Sequence, residues 1–255
     1  LKINKNMENR YEAETMILLP TPVFYSVYRY RANISAFGIL TSLARQGVLA
    51  EVAMTGYENN RITCEELQQY TLVVMGVSSY QRDYIEIPDV LLDYVQKGGT
   101  LLLPLSSCDT IRDEYLNTHH SHSLQILSGC GDYSIEKCSK LKDVQILSSA
   151  FNNKDHPDSW QLKMDEPAYL TKVKPVSDSE ILANTSGFPL LYRHKIGMGT
   201  VYVYTWNLDV YIYKNKELDH YSNKWDWMWD GIAKETGLKQ NPDNSFRDLI
   251  LEMMK

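Results

Sequence analysis

The chain has 255 residues, 44% of them hydrophobic and 23% charged, with 26 Lys and Arg against 32 Asp and Glu for a formal net charge of −6. The length suffices for a core without disulfide or metal staples. The charge balance and the lack of a long basic stripe argue against nucleic-acid binding, and no apolar run approaches the ~20 residues that cross a bilayer.

In chain order, Thr15–Leu19 reads as a first strand ended by Pro20-Thr21-Pro22. An aromatic and basic stretch follows at Tyr25, Tyr28, Arg29, Tyr30 and Arg31, read as a solvated loop or an arm toward a neighbouring site. Asn33–Arg45 places apolar residues close to a helical period, and Gly47 is a natural helix terminus. Val48–Met54 is a second strand. Thr63 three residues before Glu66 predicts a capping box on a short helix at Cys64–Gln69. Leu72–Val77, Ile87–Gln96 and Thr100–Leu103 then form a complete strand–helix–strand unit, closed by Gly98-Gly99 and Pro104. Four strands alternating with three helices over 15–105 imply a mainly parallel sheet with right-handed crossovers on its faces.

The character changes after Cys108. Asp109–Leu127 is polar and predicted helical, and Leu124–Cys138 reads as a turn-rich bridge. From Asp143 to Tyr213 the signals are short strands: VQILSS, SWQLKM, AYLTKV, EILANT, FPLLYRH and TVYVYTW. The last two form a predicted hairpin across KIGMG, with Gly197 and Gly199 supplying positive φ. Tyr221–Thr236 is predicted helical up to Gly237, and Ser245–Met254 is a final helix. The expected fold is therefore an α/β three-layer sandwich with a mainly parallel central sheet and an antiparallel β-rich elaboration in its second half. It is expected as one domain over 1–255: a parallel core at 15–108, a helical and turn bridge at 109–142, a β-rich segment at 143–213 and C-terminal helices at 219–255.

The phrases LTSLARQGVLAEV, LVVMGVSS, VLLDYVQKGGTLLLP and PLLYRHKIGMGTVYVY, short matches spread over most of residues 15–237, carry a resemblance. They resemble the glutamine-amidotransferase-like, flavodoxin-like domain of bacterial glycoside hydrolases, in particular the β-galactosidase trimerisation domain of the family 42 enzymes. The resemblance implies a non-catalytic accessory domain that mediates oligomerisation or lends residues to the rim of an active site. Its implied partners are a catalytic TIM-barrel domain of the same protein, further copies of itself, or carbohydrate, with no nucleic acid, membrane, metal or cofactor. The amidotransferase Cys–His–Glu triad is missing: Cys108 in LSSCDT lacks flanking glycines, and His194 and His220 lead into no His-x-Glu. The trimerisation domain lacks that triad as well.

Ligands in such folds collect at the carboxyl ends of the strands. Here those ends are Ser78-Ser79 and Ser106-Ser107-Cys108. Cys108 is a candidate nucleophile, paired in that reading with His194 or His220. Ser106 and Ser107 are candidate ligand hydrogen-bonders, or caps of the next helix. Trp206 and Asn207, after the last hairpin strand, are candidate sugar-facing residues. The excess of Tyr (18) and Trp (5) over what Phe (5) would suggest fits half-wet grooves or interfaces. Trp225, Trp227 and Trp229 read as packing rather than as a sugar platform. His119, His120 and His122 have imidazoles for a metal, but no Cys or acid at ligand spacing accompanies them. Asp165-Glu166 are too close in sequence to form a glycosidase pair, which needs carboxyls ~5–9.5 Å apart across a sugar. Cys64, Cys108, Cys130 and Cys138 form no zinc pattern. They read as reduced thiols, with a Cys130–Cys138 disulfide as the alternative. The polar start without a signal peptide and the unpaired-looking cysteines favour the cytoplasm, and without Met at position 1 the chain reads as a fragment or a processed product.

Overall fold

A computed structural model describes residues 13–22, 39–40, 42–55, 61–75, 81–82, 86–105, 109–112, 117–138, 141–152, 159–162, 168–185, 187–205 and 226–240. The predicted alternation is present. Strand β1 (Thr15–Pro22) is followed by helical residues at 39–40 and 42–45 (α1), β2 (Ala50–Thr55), α2 (Cys64–Leu67), β3 (Leu72–Met75), α3 (Ile87–Gln96) and β5 (Thr100–Pro104). A two-residue strand β4 (Gln81–Arg82), not expected from sequence, pairs antiparallel with the end of β1.

The order β2-β1-β3-β5 is parallel throughout. Its middle strands are buried on both faces, which is why LVVM and TLLLP read as unbroken apolar runs. The sheet continues through β14 (Gly199–Tyr204), parallel to β5, and then turns antiparallel through β13 (Phe188–Ile196), β12 (Glu180–Thr185), β9 (Leu141–Ile146) and β10 (Ser159–Leu162). The β-rich elaboration thus extends the same sheet, ten-stranded among the described residues.

Helices cover both faces. On one, Trp227, Trp229 and Ile232 of α5 (Asp226–Thr236) pack with Ile39 and Leu43 of α1 against Ile17, Leu102, Leu191 and Tyr202. On the other, Leu67 of α2 and Leu91, Tyr94 and Val95 of α3 pack against Val73, Leu101, Leu103 and Val203. Trp227 is 0% and Trp229 2% exposed, so both are core residues. Ile87, Leu91, Tyr94 and Val95 recur at helical spacing, and this stripe is what α3 buries.

The capping box is formed: the Thr63 Oγ1 accepts from the Glu66 N–H at 3.3 Å, and the Glu66 carboxylate accepts from the Thr63 N–H at 2.8 Å. Thr63→Ala is expected to lower stability by about 1 kcal/mol, the usual worth of such a cap, in urea denaturation followed by circular dichroism.

Three expectations are corrected. Asp109–Leu127 is not one helix. Thr110–Arg112 (β6) and Thr118–His120 (β7) form an antiparallel ribbon, and helix α4 (His122–Ser128) starts only where Ser121 caps it, its Oγ accepting from the Leu124 N–H. The stretch 124–138 is not turn-rich either. Cys130–Cys138 is a nine-residue strand, β8, paired antiparallel with β11 (Ala168–Pro175) in a small separate sheet. Its partner lies tens of residues ahead, so no local pattern announced it. In the hairpin, Gly197 has the expected positive φ (58°), whereas Gly199 has no positive φ and is required for a different reason, given in the Discussion.

Candidate functional site at the carboxyl edge of the sheet

Ser78-Ser79, Ser106, Ser107, Cys108, Trp206, Asn207, His220, Trp225, Asp165-Glu166, the 25–31 loop and the final helix all lie outside the described residues. Their stems do not. β5 and β14 are neighbours in register from Thr100↔Thr200 to Pro104↔Tyr204, and the Leu105 N–H donates to the Tyr204 carbonyl at 2.8 Å. Leu105 and Thr205, the last described residues before 106–108 and 206–207, therefore stand on adjacent strands, about 4.8 Å apart.

Thr171 of β11 ties these roots together. Its Oγ1 donates to the Leu105 carbonyl at 2.8 Å, and its N–H donates to the Thr205 carbonyl at 3.1 Å. The Thr205 Oγ1 in turn donates to the Pro189 carbonyl at 2.8 Å. Both threonines are buried, and their hydroxyls are satisfied by main-chain carbonyls, as buried polar groups require. The base of the edge is rigid.

Beyond Cys108 the chain enters the β6–β7 ribbon, where side chains gather that the sequence did not group. The Asp109 carboxylate accepts from the Tyr133 hydroxyl at 3.0 Å and faces the His120 Nδ1 at 3.2 Å. The Asp109 carbonyl also accepts from the Ser121 N–H at 2.7 Å, which fixes the ribbon to the start of α4. The His120 side chain is 83% exposed and that of Asp109 28%. One ring nitrogen is thus held by a carboxylate and the other faces outward. This is the arrangement of a general base with its orienting acid. β6 lies against β4, which pairs with the end of β1, so the cluster stands beside the edge where the strand order reverses. In sequence Asp109, His120 and Tyr133 are 11 and 24 residues apart. The only local signal was an Asp directly after a strand end.

The metal reading of the three histidines has no support among the described residues, where no group of His, Cys, Asp and Glu is placed to hold an ion. His119 and His120 are adjacent on β7, and His122 opens α4.

His194 stands elsewhere, 5% exposed on β13, its Nε2 2.9 Å from the Leu127 carbonyl. Tyr192, two residues back on the same face, donates to the Ser128 carbonyl at 2.6 Å. Together they satisfy carbonyls that the end of α4 would leave orphaned. The chain then turns at Gly129 (φ 55°), where a Cβ would come within 2.7 Å of the His194 ring. A ring so engaged is a structural latch. Burial pushes the His194 pKa below its ordinary value, ahead of the opposing effect of the Leu127 carbonyl. The unfolded chain therefore takes up a proton near pH ~6.5 that the folded chain refuses. The stability this provides is complete above that pH and is lost as pH falls toward the lowered folded value. Urea midpoints are expected to fall between pH 7.5 and 5.5, with a shallower fall in His194→Gln.

Cys64 is buried, its pKa pushed up by burial and by Asp93. The buried Cys130 thiol donates to the Asp132 carbonyl at 3.2 Å.

No protein-family model and no curated protein matches the chain. Solved structures do. A β-galactosidase from Bacillus circulans sp. alkalophilus superposes with a TM-score of 0.56 at 12% identity, over 89% of this chain and 32% of that one. A cytoplasmic protein from Salmonella typhimurium gives 0.58 at 13% identity, over 89% of this chain and 100% of that one. A putative ThuA-like protein from Bacteroides uniformis gives 0.54 at 12% identity, over 89% and 95%. The chain thus spans about a third of the length of the β-galactosidase it matches. At these identities the likeness defines the class of fold: an α/β domain of the type found both within β-galactosidase chains and as a stand-alone protein. No helix among the described residues is long and apolar enough to cross a membrane.

Proposed function

We propose that the chain is a single, non-catalytic accessory domain of a β-galactosidase-like glycoside hydrolase, joined to a catalytic TIM-barrel domain and serving its oligomerisation. The observation that supports this reading is the match of nearly the whole chain to about a third of a β-galactosidase chain, which is the footprint of one module in a larger enzyme. A domain in that role needs a rigid edge more than an assembled triad, and the threonine-tied roots of β5 and β14 supply one. In this reading the groups beyond those roots, Ser106, Ser107, Trp206 and Asn207, approach the rim of the partner's sugar site. The test is light scattering on the intact parent protein after gel filtration. The reading expects an oligomer that hydrolyses galactosides and that dissociates when this domain is removed. A strictly monomeric parent would sink it.

A second reading, a stand-alone hydrolase using Cys108, is favoured by one observation: the His120 ring is oriented by Asp109, the residue directly after Cys108 in the chain. His120 replaces His194 as the base in this version. Its Nε2 would take the thiol proton, the sulfur would attack an amide or ester carbonyl, and the amine or alcohol would leave with that proton. Water would then release the acid from the thioester. Amide and ester hydrolysis by the wild type, lost in both Cys108→Ser and His120→Gln, is the expected result. An inactive wild type ends it.

A further inference from the structure

The residues leading into α2 and the first turns of α3 wall a cleft of about 430 Å³. Its floor is apolar, made by Ile62, Ile87 and Val90. Its rim is acidic, with Glu65 on the α2 wall and Glu86 and Asp89 on the α3 wall. Arg61 is the one cation among the described lining residues.

The carboxylates differ in their commitments. Asp93, also in the lining, is paired with Lys97 at 2.7 Å, and Asp89 accepts from the Ser123 hydroxyl. Glu65 and Glu86 are exposed, and their carboxylates enter no ion pair or hydrogen bond among the described residues. The walls themselves are held in place: the Thr63–Glu66 capping box fixes one, and Pro88 in the first turn of α3 stiffens the other. Volume and lining are those of a ligand-sized site with a few directed polar groups.

The chemistry selects the occupant. An anion would meet the carboxylates. A wholly apolar group would cover the floor but leave two carboxylates half-dehydrated without a partner. A Lys or Arg flanked by aliphatic residues answers both, with its hydrocarbon stem on the isoleucines and its charged head at the rim. We propose that this cleft docks a basic, aliphatic peptide segment of a partner protein, with its cationic heads at Glu65 and Glu86. The proposal goes beyond the accessory-domain reading and does not depend on it.

The test titrates the full chain, by isothermal calorimetry at low and moderate salt, with a short peptide of alternating Leu and Lys. A matched peptide of Leu and Glu, and spermidine, are titrated in parallel. Saturable binding of the Leu–Lys peptide alone is expected, weakened by salt and about tenfold by Glu65→Gln with Glu86→Gln, as two rim ion pairs warrant. Val90→Trp, which fills the cleft, should abolish it. Absence of binding, equal binding of the Leu–Glu peptide, or undiminished binding by the double Gln variant overturns the proposal. Spermidine binding as tightly as the peptide also overturns it, in favour of a small-amine site. Unfolding curves of each variant serve as controls, and the exposed double variant carries the test alone if Val90→Trp does not fold.

Discussion

Gly199→Ala will lower stability by about 3–4 kcal/mol, more than the ~1–3 kcal/mol of ordinary overpacking, and will cost the protein much of its soluble yield. A Cβ at this position would lie 2.1 Å from the Val95 carbonyl oxygen and 2.4 Å from that of Gly99. Both obstacles are main chain. The first belongs to α3, and the second accepts the Thr200 N–H at 3.2 Å. Neither can rotate aside as a side chain would, so the amino end of β14 must move away from α3 and β5. That movement would spread along the β5–β14 register to the roots of 106–108 and 206–207. The measurement is urea unfolding of wild type and variant by near-ultraviolet circular dichroism. A variant within ~1 kcal/mol of wild type would show that β14 does not pass this close to α3.

Asp226→Ala is expected to cost about 3–5 kcal/mol, the penalty for leaving one partner of a buried ion pair behind. Asp226 takes both Nε and Nη2 of Arg45, at 2.8 and 2.6 Å, and the two side chains are only 12% and 9% exposed. Arg45 also donates to the Ser42 Oγ at 3.1 Å. The pair joins the end of α1 to the start of α5, the helix that carries Trp227 and Trp229 into the core. An Arg45→Met, Asp226→Leu double variant should regain most of the loss, because a buried ion pair contributes little beyond a well-packed apolar pair. A double-mutant cycle in urea measures the coupling, and a coupling near zero would remove the pair from the account of how α5 docks.

The two variants also mark what a sequence can and cannot convey here. Gly197 was legible because a two-residue reversal between apolar strands demands a positive φ, a local property. Gly199 was placed in the same turn for the same reason, and its actual role is to let β14 pass beneath a helix a hundred residues earlier. The 15–105 alternation was legible because strands buried on both faces are apolar in runs and helices are apolar at 3.6-residue spacing. The β6–β7 ribbon was not, since three-residue strands carry no periodicity. β8 was not either, because the pairing that makes it a strand comes from β11. The candidate site divides in the same way. Residues after strand ends were identifiable as Ser106–Cys108 and Trp206-Asn207, while the Asp109–His120–Tyr133 grouping depends on a ribbon folding back.

Read alone, the 255 residues determined the α/β class, the parallel core, the capping box and the closing hairpin. These follow from hydrophobic period, turn chemistry and residue identity, all encoded within a few positions of each other. Only the tertiary structure decided that β5 and β14 lie side by side, that the antiparallel strands extend the same sheet, that His194 is a latch and His120 an oriented imidazole, and that an acid-rimmed cleft opens beside α3. Each depends on contacts between distant segments, where the free energy lies in burial and geometry that no short stretch of sequence specifies.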